Sequence, residues 1–550
     1  MNNANNDLLD RLEQLNAIGV ALSAEKDTTR TLEAILLAAK NLANADGGTL
    51  YRMAEGGGCL RFEIMRNDTL GIAMGGTTGM PIPFDLLPLH DAQGKPNNSM
   101  VAVYSALHDK TVNIEDAYTA EGFDFSGTRA FDRNTGYRSQ SFLTVPMKNH
   151  ENEIIGVLQL INAKHRQSGA ITPFSKADQR LTESLASQAA IALTNQLLIK
   201  QLEELFEAFI KLINIAIDEK SPYTGGHCER VPVLTMLLAE AASTANAGPL
   251  KDFRMTETDR KELKIAGLLH DCGKITTPVH VVDKATKLHT LFDRIHLIDT
   301  RFEVLKRDAR IELLNAKIDS MERGDKDNFA ALEQAYAQRI GQLEADREFL
   351  RKSNIGGEFM TPEQQAQVDA IARHVWVNEN GESAPFLSED EANNLKIAKG
   401  TLTDEERQII NNHVVATIKM LEALPWPKHL KRVPEYAGGH HERMDGKGYP
   451  KGLVGGQMSI QARTMAIADI FEALTARDRP YKPGKTLTES LRILGFMKQD
   501  HHIDPDLFDV FIREKVYLKY AEQFLEPGQI DPVNEARIPG FVPPSGQASA

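Results

Sequence analysis

AGGHHERMDGKGY, residues 437–449, sets two adjacent histidines, His440 and His441, between glycines and follows them with Glu442, Arg443 and Asp445 before Gly448, Tyr449 and Pro450. Neutral imidazole is the commonest protein ligand for a transition metal, so a doubled histidine invites a ligand reading. Two other stretches share this character. His270-Asp271 closes the mostly apolar run 263–269, and Asp469 sits inside the apolar run 465–471. A carboxylate buried among apolar side chains is costly unless paired or bound to a cation, and a metal would supply that partner.

At 550 residues the chain exceeds one ordinary domain and can bury a sizeable core. Its 42% hydrophobic and 25% charged residues are those of a globular protein. The net charge of −13 argues against nucleic-acid polymers and anionic membrane surfaces as partners, so an anionic ligand must meet local positive charge. Cys59, Cys228 and Cys272 are far apart and form no CxxC pair, which fits a reducing compartment and speaks against a disulfide framework or thiolate zinc site. No signal pattern opens the chain, and nowhere do ~18 consecutive apolar residues occur. The expectation is a cytoplasmic protein.

Apolar residues recur at three and four over 7–22 and again over 28–44, which predicts two amphipathic helices. The period then changes. GGTLYRM, LRFEIMR, MVAVYSALHD, SFLTVPM and EIIGVLQLINA are short β-branched and aromatic runs between turn residues, and a helix follows from about 175. This predicts an α+β domain with an antiparallel sheet. The order resembles a GAF sensory domain over 28–195, with 1–27 as a preceding helix. Asn162, Lys164, Phe174 and Asp178 loosely match the Asn-Lys…Phe-x3-Asp-Glu signature of the cyclic-nucleotide type, with Ala163 inserted and Gln179 replacing Glu. The resemblance implies a small-molecule or cyclic-nucleotide ligand, or a module that only dimerises.

Over 196–219, Leu198, Leu202, Leu205, Phe209, Leu212 and Ala216 alternate steps of four and three, the pattern of a coiled-coil seam or of a plain amphipathic helix. A parallel homodimer follows from the first reading. The charged stretch 299–352 keeps a helical period broken at Gly324-Asp325, which predicts a helical hairpin, whereas 353–399 has mixed polarity and yields no element. The Pro- and Gly-rich end, 526–550, predicts a flexible tail.

His227 in GGHCERV, His270-Asp271 in LLHDCGKI, His413 in IINNHV, the 440–441 pair and Asp469 in AIADIFEAL form one constellation. Together with the Gly448-Tyr449-Pro450 triplet it resembles the HD-GYP family of metal-dependent phosphohydrolases, over roughly 200–520. The resemblance implies an all-α domain at 220–525 in which His227, His270, Asp271 and Asp469 hold one divalent ion. His413, His440 and His441 would hold a second, with Asp271 shared. Iron or manganese comes first, and nickel, cobalt or zinc also suit imidazole and carboxylate. Some members add a glutamate four residues before the first histidine for a third ion. Tyr223 occupies that position here, which predicts a two-metal site.

A phosphodiester repels hydroxide, so hydrolysis near neutral pH needs cations that screen the phosphate and acidify a water; two metals ~3.5–4 Å apart do both. By the same resemblance Lys274 joins Asp271 as a catalytic residue, orienting phosphate or protonating the departing 3′ oxygen. Arg479 and Lys482 would grip phosphate, with Arg477 an alternative because the loop is one residue longer than usual. Tyr449 would pack in the turn, touch substrate or contact a partner such as a diguanylate cyclase. KATKL (284–288) and GTLTDEE (400–406) look like severed halves of one family segment, so 288–400 reads as an insertion. The function implied is a phosphodiesterase for a cyclic dinucleotide, cyclic di-GMP to pGpG or GMP. The alternatives are 3′,3′-cyclic GMP-AMP as substrate and a non-catalytic nucleotide-binding module.

Overall fold

Leu32, Ile35, Leu36, Ala39 and Leu42 line one buried face of helix α2 (Thr28–Leu42), and Asp27 caps its start by accepting from the Arg30 amide at 2.8 Å. That face is what the first sheet is built against. A computed structural model describes residues 2–220, 226–246, 248–324, 328–356, 359–378, 380–477 and 484–542, in two compact units, 1–206 and 207–550.

In the first unit α1 (Asn2–Ala24) and α2 precede β1 (Ala45–Met53), β2 (Cys59–Asn67), β3 (Ile72–Gly75) and β4 (Leu87–Pro88). Helix α3 (Val101–His108), β5 (Val112–Ile114), α4 (Ser126–Thr135), β6 (Phe142–Lys148), β7 (Ile154–Lys164), β8 (Ile171–Thr172) and α5 (Lys176–Lys220) follow. The sheet is antiparallel in the order β3-β2-β1-β7-β6-β5, with β4 added to β2 and β8 to β7. Leu15, Leu22, Leu36, Leu181 and Leu185 cover one face through Leu50, Val145, Leu158 and Leu160. Tyr51, Leu60, Val103 and Val157 form a second core on the other side.

One expected strand is a helix. MVAVYSALHD forms α3, because Val101, Ala102, Ser105 and Ala106 share a buried helical face packed on β6 and β7, and this tertiary burial overrides the strand preference of its valines. Helix α5 continues without a break into the expected connecting segment, and Leu198, Leu202, Leu205, Phe209, Leu212 and Ala216 are all exposed along it.

The second unit is largely helical: α6 (His227–Ser243), α7 (Glu257–Leu269), α8 (Val279–Val282), α9 (Ile295–Glu322), α10 (Phe329–Asn354), α11 (Pro362–Ala372), α12 (Glu389–Leu395) and α13 (Asp404–Glu422). After them come α14 (Val433–Gly438), α15 (Ile460–Thr475), α16 (Leu487–Gln499), α17 (Pro505–Arg513) and α18 (Val516–Phe524). Helices α9 and α10 pack together as the expected hairpin. The stretch after them, unassigned from sequence, adds α11, α12 and a two-stranded ribbon, β9 (Val375–Val377) with β10 (Ser383–Pro385). Phe302, Leu343, Leu350, Val368, Phe386 and Leu395 give the 288–400 segment its own core. Its ends meet: the Thr401 hydroxyl donates to the Lys284 carbonyl at 3.0 Å, and the Lys284 ammonium donates to Glu406 at 2.7 Å.

The expected flexible tail is corrected up to residue 542. Ile538 and Phe541 are buried, the Gln529 amide donates to the Thr475 carbonyl at 2.8 Å, and Lys498 donates to the Gly540 carbonyl at 2.7 Å. Among the described residues no helix is long and apolar enough to cross a membrane.

Candidate functional site

Five helices deliver the seven ligand candidates. His227 opens α6 after Gly226, whose φ of +79° lets the chain turn into the helix. His270 and Asp271 follow α7, and the single turn 272–276 presses against α13. A Cβ on Gly273 would lie 2.0 Å from the His413 carbonyl oxygen, so only glycine lets Asp271 come this close to His413. His413 lies within α13, His440 and His441 follow α14, and Asp469 lies within α15.

The side chains converge. Asp271 Oδ2 is 3.2 Å from Nε2 of both His227 and His270, while its Oδ1 is 3.1 Å from His413 Nε2. Asp469 Oδ1 stands 3.2 Å from His227 Nε2 and 3.8 Å from His270 Nε2. The His440 ring centroid is 4.3 Å from that of His441 and 5.0 Å from that of His270. Two groups could each hold an ion, His227 with His270 and Asp271, and His413 with His440 and His441; in each, all ligand atoms lie within 4.8 Å of one another. The two oxygens of Asp271 face one group each.

Hydrogen bonding decides what these atoms offer. Nδ1 of His270, His413 and His440 meets the carbonyl of Gly267, Ile410 and Ala437 at 2.7, 2.6 and 2.5 Å. A carbonyl only accepts, so each proton sits on Nδ1 and each Nε2 turns a lone pair inward. His413 Nε2 and Asp271 Oδ1 are therefore two acceptors face to face. Both are buried without a hydrogen-bond partner, as is His440 Nε2. Buried acceptors pointing at one another are unfavourable until a cation lies between them, and two imidazole-carboxylate sets suit divalent transition ions. The residues fit the metal pair that the family resemblance implies.

The local field is consistent with this. Burial pushes His441 down to about 4 despite Asp469, and burial followed by the neighbouring His441 and His270 holds His440 well below its usual value. Both rings are neutral at pH 7. Burial works to raise Asp271, but Lys274, His270 and His227 outweigh it and keep the carboxylate ionised. Lys274 donates to Asp271 Oδ2 at 2.6 Å and stays cationic, because Asp271 and Asp469 overcome the effect of its own burial.

Glu472, which the sequence reading missed, completes the first group. It accepts at Oε2 from His227 Nδ1 and at Oε1 from Arg230 Nε at 2.7 Å, and it is only 1% exposed. Such a carboxylate behind a ligand histidine fixes its ring and raises its basicity. Its signal was available: Glu472 stands three residues after Asp469, at the end of the same apolar run and before Ala473 and Leu474. The glycine-tyrosine-proline loop supports the second group. The Tyr449 ring stacks on His441 at 4.8 Å, and Glu442 accepts from the amides of Lys451 and Leu453 at 2.7 and 2.8 Å. Arg479, Lys482 and Tyr223 lie outside the described residues. Arg477 pairs with Glu526 at 2.9 Å.

In the first unit the residues expected to hold a ligand hold the fold. Asn162 Oδ1 accepts from the amides of Gln140 and Ser141 at 2.7 and 3.2 Å, and its Nδ2 donates to Tyr137 and to the Arg138 carbonyl, each at 2.8 Å. Lys164 pairs with Asp46, Phe174 is buried in the helix-sheet core, and Asp178 caps α5 through Ser175 and pairs with Arg11 at 2.5 Å. None of the four lines the cavity of about 380 Å³ beside the sheet. Tyr51, Phe62, Phe84, Phe125, Phe131 and Phe142 line it, with Arg66, Asn67, Tyr137 and Gln159 among its polar groups.

A GAF domain model matches residues 27–193, and HD domain models match 224–346 and 390–507. The 3′3′-cGAMP-specific phosphodiesterase 1 of Vibrio cholerae is 44% identical over 81 residues, 15% of this chain and 19% of that protein. A cyclic di-GMP phosphodiesterase of Pseudomonas aeruginosa is 36% identical over 137 residues, 25% of this chain and 32% of that protein. One from Thermotoga maritima is 33% identical over 135 residues, 22% and 35% of the two chains. The chain thus spans about a third or less of the length of these curated relatives. By its matched models and its two units, the chain joins a GAF domain with an antiparallel sheet to a largely helical HD region matched in two segments.

Proposed function

We propose that the chain is a metal-dependent phosphodiesterase of the HD-GYP type that hydrolyses a cyclic dinucleotide, cyclic di-GMP first, to pGpG and on to GMP. One observation carries the reading: Asp271 turns one oxygen to each of two histidine groups, and its Oδ1 faces the buried acceptor His413 Nε2 with no donor between them. His227, His270, Asp271 and Asp469 would hold one divalent ion, and His413, His440 and His441 the other, with iron or manganese the best candidates. When bound, such a pair screens phosphate charge and acidifies a water.

The chain's own residues do the rest. Nδ1 anchoring keeps the imidazoles oriented before substrate arrives, and Glu472 does the same for His227. Lys274, cationic beside Asp271, would orient a phosphate oxygen and give its proton to the departing 3′ oxygen as the P–O3′ bond breaks. Arg479 and Lys482 are proposed to grip the second phosphate. The test is turnover of cyclic di-GMP and of 3′,3′-cyclic GMP-AMP by manganese- or iron-loaded protein, with products separated by chromatography. Faster cleavage of the second compound would assign it as substrate, a reading that relatives named for each compound keep in view. Full metal loading without cleavage of either would turn the site into a binding module.

For the GAF domain we propose an uncharged, largely apolar ligand in the aromatic cavity in place of a cyclic nucleotide. The supporting observation is Arg66, whose guanidinium is spent on the Met65 and Met74 carbonyls and on Glu33. A phosphate there would find that cation already neutralised. Titration of the full chain with cyclic nucleotides, followed by the fluorescence of its tyrosines, should show no saturable change. The exposed α5 seam is proposed to pair two copies of the chain, and tyrosine stacking makes Tyr449 a support for His441 ahead of a cyclase contact.

A further inference from the structure

Helix α9 is apolar on two opposite sides. Ile298, Phe302, Leu305, Ala309 and Leu313 are buried toward α10 and the rest of the inserted core. The outer side carries Leu297, Val304, Ile311 and Ile318 at exact intervals of seven. Interleaved with them, three residues on, are Thr300, Arg307, Leu314 and Met321. Leu297, Ile311, Leu314, Ile318 and Met321 are 44–55% exposed. A solvated hairpin needs no second apolar side; period 3.6 with charged residues would serve.

From this geometry we infer that α9 pairs in parallel, in register, with α9 of a second copy of the chain. Three features select that occupant. The repeat is heptad, the spacing only another helix demands, and it persists for about three and a half heptads, ~36 Å of helix. Its first positions are β-branched at 304, 311 and 318, with leucine and methionine at the last two interleaved ones, 314 and 321; this distribution favours two parallel strands. Arg307, the charged member of the seam, is followed directly by Asp308, which a parallel pair brings to the same level from the opposite copy. A charged seam residue compensated in this way fixes register. The inserted segment is then an assembly element, distinct from the α5 seam and independent of the hydrolytic reading.

Site-specific oxidation of the full chain tests this, with Cys59→Ser removing the cysteine that is not buried. In that background L314C should form an interchain disulfide at least tenfold faster than E312C, which lies on the flank of the same helix, because only the seam brings like Cβ atoms within disulfide reach. Adding I311D and I318D to L314C should slow the cross-link tenfold or more while circular dichroism and metal content stay unchanged. Equal rates at 314 and 312, or a rate indifferent to the two aspartates, would overturn the pairing. A monomer or a dimer held by α5 alone gives that pattern.

Discussion

Two buried polar clusters, one in each unit, look alike in composition and differ in bookkeeping. Around Asn162, every acceptor meets a donor: two amides, a phenol and a carbonyl saturate the side chain, and Asp46 takes Lys164, Tyr137 and Thr69. Around Asp271, acceptors meet acceptors, and three buried atoms have no partner. The first cluster is complete as folded; the second is complete only with something positive added. Motif matching scored both sets as ligand residues. Hydrogen bonding separates them.

The separation is sharpest at Asp271. D271A should cut phosphodiester turnover by about 10³-fold or more and lower bound metal from two ions per chain to one or none, read by elemental analysis beside steady-state rates. Unaltered metal content would dissolve the contrast between the clusters. Next comes Glu472, where E472A should weaken metal binding ~10–100-fold in a competition titration against a chelator of known affinity, with helix content retained. Conversely, N162A should leave metal binding untouched and cost the GAF unit about 2 kcal/mol in denaturant unfolding, since two buried amides lose their acceptor.

The GAF cluster also has a pH signature. Burial raises Asp46, but hydrogen bonds from Lys164, Tyr137 and Thr69 outweigh it, so its pKa lies below the ordinary 3.8. A depressed carboxylate contributes stability above its unfolded value and loses it as pH falls through the folded one. The thermal midpoint of the GAF unit should therefore drop below about pH 4, and D46N should flatten that drop. The smallest effect is expected at Arg477. R477A should change turnover less than about twofold, because its guanidinium is committed to an exposed pair with Glu526 that is worth little. A large loss would make it a phosphate contact after all.

Most of the candidate ligands were legible because they are unusual residues in an apolar or glycine-rich setting, and the α9–α10 hairpin because its period survives a high charge. Glu472 was passed over although the buried-carboxylate argument applied to it as fully as to Asp469. MVAVYSALHD misled because valines favour strands while burial against the sheet decides, and α3 is the outcome. The proline-rich end misled in the opposite sense. Composition suggested mobility, yet Ile538 and Phe541 find apolar contacts that no local pattern announces. Neither the saturation of Asn162 nor the facing acceptors at Asp271 are a property of sequence, since both depend on groups more than twenty residues away.

The junction where Thr401 and Glu406 clasp Lys284 makes the inserted segment detachable in principle. Because both strands of chain enter and leave at one closed point, a short turn could replace everything between them at a small loop-closure cost. The same geometry explains how about a hundred residues could be spliced into a helical scaffold without redrawing it, and it offers a ready position for exchanging one such accessory for another.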